Sequence, residues 1–232
     1  MRKTLLFVCL CMVLLSCTKS RTNVPSTTPV AVIYDTDLGS STDDLFALEM
    51  LYRYHEEGRC RLLGVVVDRE GEDCAAVADV MNTYFGYGDL PIGLVQEGID
   101  TPYVWIDYRN MASWCGDGGS PMFDRTNMPP YPDGWQLYRR LLAAEPDHSV
   151  TIVSVGFVTC LAQLLESKGD EYSPLSGVEL VRQKVKCLYV QGGSFESYGN
   201  LNLTHTGLLN PVGYADYTQA TVTSYAVRVA GG

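Results

Sequence analysis

The chain has 232 residues, a formal net charge of −10, and 27 acidic side chains against 17 basic ones. Such a balance argues against nucleic acid or anionic lipid as a partner, since both call for basic patches. The eight cysteines include no Cys-x-x-Cys pair, so neither a zinc site nor a disulfide scaffold is expected.

Arg2 and Lys3 precede an unbroken apolar run from Leu5 to Leu15. The run is too short to span a bilayer and has the form of a secretory h-region. It closes on Leu14-Leu15-Ser16-Cys17, which resembles the bacterial lipobox. That resemblance implies a signal peptide over 1–16, cleavage before Cys17, and a lipid on Cys17. An ordinary signal peptide with a chance cysteine is the bland alternative. Residues 17–29 are polar, contain proline and show no periodicity, as a flexible tether does. Anchor and tether together would hold a globular body at the membrane surface of a bacterial cell envelope.

From residue 29 onward apolar runs alternate with helical periodicity. Pro29 to Tyr34 reads as a buried strand. Residues 43–58 carry Leu45, Phe46, Leu48, Leu51 and Tyr52 as a helical stripe closed by Gly58. A β-rich run (60–68), a helix (73–88) and a short strand (90–95) follow. Residues 96–133 lack periodicity and read as a long loop region. Then come a helix (134–146), a strand (149–156), a helix (159–167), and a helix leading into a strand that ends at a glycine pair (176–193). This alternation predicts an α/β fold, a mostly parallel, doubly wound, Rossmann-like sheet with helices on both faces. Ligands in such sheets bind beyond the carboxyl ends of the strands. Three polar or glycine-rich segments fall there: DTDLGSSTDD, VGFVTC and VQGGSFESYGN.

The first of these holds Asp35, Asp37, Asp43 and Asp44. As first-turn residues, Asp43 and Asp44 would complement a helix dipole, but that leaves Asp35 and Asp37 unexplained. Crowded carboxylates repel unless a positive ligand sits among them, and an all-oxygen set suits a hard cation such as Ca²⁺ or Mg²⁺.

VIYDTDLGSSTDDLFAL resembles the N-terminal signature of the inosine-uridine-type nucleoside hydrolases, Asp-x-Asp-x-Gly followed by Asp-Asp and a helix. The likeness continues through LLGVVVDREGEDCAAVADVMNTYFGYGDLPIG, SVTIVSVGFVTCLAQLL and KVKCLYVQGGSF, covering residues 30–200. It implies Ca²⁺-dependent hydrolysis of the N-glycosidic bond of ribonucleosides. Asp37 would bind the ion and act as general base towards its water. Asp44 would be a second ligand, and Thr159 would give its backbone carbonyl. Asp43 would bind a ribose hydroxyl, Asn200 the 5′-hydroxyl, and Asp35 would support the turn from behind. Tyr103, Trp105, Tyr108 and Trp114 could stack on a base or simply pack the loop. His55, His148 and His205 lie outside the three segments and read as surface or capping residues.

The chain departs from the family pattern in three places. Cys160 replaces the asparagine after the motif threonine. VVVDREGED lacks the Gly-Asn usual after the second strand. Residues 201–232 form an atypical tail, the form a truncated or frame-shifted gene would give, where the family carries a late aspartate and a histidine. Two alternatives therefore stand beside the hydrolase: a catalytically impaired remnant or sugar-binding lipoprotein, and a phosphohydrolase of the haloacid-dehalogenase type. The latter expects threonine where Gly39 stands. Base preference and oligomeric state, a homo-oligomer included, are left open.

Overall fold

The computed structural model describes residues 28–39, 42–98 and 108–191, together with the backbone of two short strands beyond them. Cys17, Asn200, the tail 201–232, His205, Tyr103 and Trp105 lie outside the described residues, as do Ser40 and Ser41 of the acidic turn.

The elements follow the predicted alternation: β1 (Val30–Thr36), α1 (Asp43–Glu56), β2 (Cys60–Val67), α2 (Glu72–Tyr84), β3 (Ile92–Leu94), a 3₁₀ turn (Arg109–Ser113), α3 (Gly134–Ala144), β4 (Val150–Ser154), α4 (Thr159–Glu166), α5 (Gly177–Lys184) and β5 (Val185–Val190). Two short strands, Ser194–Phe195 and Tyr198–Gly199, pair antiparallel after them. The five-stranded sheet has the order β3-β2-β1-β4-β5, and every pair in it is parallel.

Alternation along β1 splits the core into two layers. Ala31 and Ile33 face one side, with Leu137, Tyr138 and Leu142 of α3 and Leu161 and Leu164 of α4. Val32 and Tyr34 face the other, with Leu48 and Tyr52 of α1 and Val77 and Ala78 of α2. A strand covered on both faces reads as a continuous apolar run, which is why β1 was legible. Two details differ from expectation. The strand runs on to Thr36, so Asp35 lies inside the sheet and is fully buried. Phe46 is 63% exposed, while Asp44, Leu48 and Tyr52 form the inward face of α1. Leu45 and Phe46 are neighbours about 100° apart on the helix, so a narrow stripe cannot hold both.

From β1 the chain winds outward to β3, then returns to build β4 on the opposite side of β1. This reversal puts a topological switch point between β1 and β4, where open α/β sheets form their crevice.

Candidate active site

Both strands at the switch point end in segments singled out from the sequence. β1 leads into Asp37, Leu38 and Gly39, and α1 starts at Asp43. Gly39 has φ 131°, a conformation that side chains disfavour, and a Cβ there would stand 2.6 Å from Cγ of Arg109. β4 leads into Gly156, where a Cβ would lie 2.5 Å from the Asp37 amide nitrogen. The two glycines thus permit a close approach of backbone to backbone and of a side chain to the turn. Asp37 and the start of α4 are brought to one place.

Asp35 is held from behind. Tyr138 Oη donates to its Oδ2 at 2.7 Å and Ser154 Oγ to its Oδ1 at 3.2 Å. Asp44 Oδ1 accepts from Thr36 Oγ1 at 2.6 Å, and its carbonyl accepts from Tyr34 Oη at 2.9 Å. Burial is the main force on all three carboxyls, with mutual repulsion adding to it. It pushes Asp35 up to about 8, against relief from Tyr138 and Ser154. Asp37 rises to about 6, held back by the Arg69 guanidinium. Asp44 rises to about 7, with the charge of Asp37 as the next cause. Asp43 is exposed at the first position of α1, close enough for its charge to raise both Asp37 and Asp44.

Two further residues, not assigned roles from the sequence, belong to the same locality. Asp68 and Arg69 directly follow β2, and both are buried. Asp68 Oδ2 accepts from the Cys160 amide at 2.9 Å. Burial pushes its carboxyl well up, and the charges of Asp35 and Asp37 add to the shift. One guanidinium nitrogen of Arg69 donates to the Asp37 carbonyl over a long 3.4 Å. The available signal was a charged pair directly after a strand of four-residue apolar character, as with Asp35 after Tyr34.

Thr159 opens α4 and is fully buried, and its Oγ1 has no hydrogen-bond partner among the described residues. The same holds for Asp68 Oδ1. Buried oxygens left in this way, beside carboxyls that burial and repulsion hold partly protonated, are the donor set a hard cation would satisfy. Among the described residues, however, no three His, Cys, Asp or Glu side chains converge as a ready metal-binding group. Asp35 and Asp44 each lean on hydroxyl donors of their own instead.

The described histidines stand apart from this place. His55 lies near the end of α1, where Nδ1 accepts from the Leu62 amide, and exposed His148 precedes β4. Both therefore sit towards the opposite edge of the sheet. Tyr108 is buried beside the turn, its amide bonded to the Gly39 carbonyl at 3.2 Å. Trp114 is 44% exposed and packs at a tilt against Phe123.

Comparison with known proteins gives a family model, inosine-uridine preferring nucleoside hydrolase, that matches residues 32–207. Among curated proteins no sequence matches significantly. Three solved structures share the fold. A purine-preferring ribonucleoside hydrolase from Gardnerella vaginalis is 13% identical with a TM-score of 0.54, over 84% of this chain and 58% of that one. The type III effector protein XopQ, complexed with adenosine diphosphate ribose, is 20% identical with a TM-score of 0.53, over 88% and 52%. The plant nucleoside hydrolase PpNRh1 is 19% identical with a TM-score of 0.50, over 75% and 51%. The chain thus spans little more than half the length of these structures.

Proposed function

Because the chain belongs to the inosine-uridine preferring nucleoside hydrolase family, we propose that it hydrolyses the N-glycosidic bond of ribonucleosides with Ca²⁺ as cofactor. The observation that carries this reading is the gathering of Asp35, Asp37 and Asp44 at the β1–β4 switch point, each with its carboxyl pushed up by burial. Asp37, Asp44 and the Thr159 carbonyl would hold the ion. When bound, it would offset the crowded negative charge and lower the pKa of its water.

The remaining work falls to the chain's own groups. Asp37 is ionised above about pH 6 and accepts the proton of the attacking water. The water oxygen bonds to the anomeric carbon as the bond to the base nitrogen breaks, and the base leaves with the electron pair. Positive character on the ribosyl ring in that transition is stabilised by the surrounding carboxylates, as in glycoside hydrolysis. Asp44 is kept in place by Thr36, Asp35 supports the turn through Tyr138 and Ser154, and exposed Asp43 is free to meet a ribose hydroxyl. On the same reading Asn200 meets the 5′-hydroxyl. A lipid on Cys17 keeps the enzyme at the bacterial envelope.

A second reading, a sugar-binding protein with impaired turnover, is favoured by one observation. Among the described residues the acidic side chains do not converge as a ready metal-binding group. One assay separates the two. The protein is incubated with inosine, uridine and a phosphomonoester, with Ca²⁺ or with a chelator. Ribose release that the chelator abolishes supports the hydrolase. Folded, Ca²⁺-supplied protein that binds nucleoside without releasing ribose supports the second reading. Phosphate release would point to phosphohydrolase chemistry instead.

A further inference from the structure

Asp68 makes an unusual connection. It follows β2, yet its carboxyl reaches the Cys160 amide in the turn after β4, and β1 lies between those two strands in the sheet. The bond therefore crosses over the carboxyl end of β1, where Asp37 stands. Its backbone is fixed as well, since the Asp68 amide donates to the Thr36 carbonyl at 2.8 Å. The next residue, Arg69, holds the Asp37 carbonyl. A single dipeptide thus grips both turns that carry the proposed cation donors.

The gripped peptide is the informative one. The Cys160 N–H and the Thr159 C=O belong to the same planar trans unit, so an acceptor that fixes the first also fixes the direction of the second. The side chain that does this is a carboxyl, fully buried, with a second oxygen that lacks a hydrogen-bond partner among the described residues. It lies near enough to Asp35 and Asp37 to be repelled by both. A neutral amide would hold the peptide without that desolvation cost. A carboxyl becomes favourable once positive charge is bound beside it.

We infer that Asp68 is a positioning residue of the cation site, orienting the Thr159 carbonyl through the Thr159–Cys160 peptide. This rests on the calcium reading above. Supporting groups of this kind are worth about 10–100-fold in metal affinity.

The test is Ca²⁺ titration calorimetry on the wild-type protein and on Asp68→Ala and Asp68→Asn. Unfolding midpoints are recorded in chelator. D68A is expected to bind Ca²⁺ about 10–100-fold more weakly. D68N, whose amide oxygen can still accept from Cys160, is expected to recover most of that loss. A role confined to structure would instead lower the metal-free midpoint and leave affinity unchanged. Wild-type affinity in D68A overturns the inference, and so does D68N binding as weakly as D68A, which would mean that charge alone matters. Should D68A fail to fold, D68N decides: retained affinity supports positioning, and lost affinity overturns it. Wild-type protein that binds no Ca²⁺ removes the calcium reading and this inference together. Wild-type binding with unaffected variants removes the inference alone.

Discussion

Tyr138 donates its hydroxyl proton to Asp35 over 2.7 Å, tying α3 to the end of β1 across 103 positions of sequence. Both side chains are fully buried, so the bond is shielded from competition by water. Tyr138→Phe keeps the ring in its packing place and removes only the donor. The expected result is a loss of about 1–3 kcal/mol of stability in urea denaturation, the cost of a buried acceptor left short of a partner. An unchanged midpoint would mean that Ser154 alone satisfies Asp35.

The buried acids predict an unusual pH dependence. Asp35, Asp37 and Asp44 keep their protons up to about 8, 6 and 7 in the folded chain. In the unfolded chain they lose them at about 4. Between those limits the folded state binds more protons, so stability falls as pH rises. In chelator, the thermal midpoint is expected to fall steadily from about pH 5 to about pH 8. Ca²⁺ is expected to restore stability chiefly at the upper end, where the carboxyls are ionised. A midpoint that rises over this range would contradict the cluster.

Much of this was legible in the sequence, for identifiable reasons. Ala31 to Tyr34 form one apolar run because β1 is covered on both faces, and Gly39 with the aspartates marks the turn after it. Gly156 was legible as part of a motif, but its contact with the Asp37 backbone was not, since spacing says nothing of which turns meet. Asp68 was read as a departure from the family pattern, because its partner, the Cys160 amide, is 92 positions away. Arg139 and Arg140 are adjacent and look alike in sequence, yet Arg139 is fully buried and Arg140 is exposed. The helical phase of α3 decides between them, and a one-residue error in that phase exchanges them.

Gly156→Ala tests the close approach of the two turns. A Cβ there would lie 2.5 Å from both the Asp37 nitrogen and the Thr36 carbonyl carbon, which is backbone and cannot swing aside. The β4 turn must move away from β1, at a cost of about 1–3 kcal/mol if it resembles other overpacked sites. Ca²⁺ affinity should fall with stability, because Thr159 moves relative to Asp37. Gly118→Ala is the control: its Cβ meets nothing within 4 Å and it lies outside the site, though its φ of 86° adds some local strain. Equal Ca²⁺ affinity in the two variants would refute the coupling.

Arg139 offers a test of fold stability away from the site. Its guanidinium binds Asp170 at 2.7 and 3.0 Å, Ser167 at 2.9 Å, and the Ser173 and Leu175 carbonyls at 2.9 Å each. This ties α3 to the connection between α4 and α5. Asp170→Ala leaves a buried cation with only neutral acceptors. A loss of roughly 3 kcal/mol is expected, at the low end for broken buried pairs because Asp170 itself is partly exposed. Thermal unfolding checks it, and Ca²⁺ affinity should stay as in the wild type, since the clamp touches none of the carboxyls at the switch point.

Asp37→Asn bears most directly on the chemistry. The amide keeps the size of the side chain and removes both its charge and its capacity to take a proton. Loss of general-base assistance is expected to slow ribose release by about 10²–10⁴-fold. Removing charge from the cluster has a second consequence of opposite sense. Burial and repulsion already push Asp37 and Asp44 up, and Asp37 is the leading electrostatic cause of the shift in Asp44. The Asp44 carboxyl should therefore ionise at lower pH in the variant, and the metal-free protein should gain stability near pH 7. A variant that is more stable in chelator and nearly inactive with Ca²⁺ is the signature of a charge kept for catalysis at the expense of the fold. Full activity in a folded Asp37→Asn protein would assign the base elsewhere.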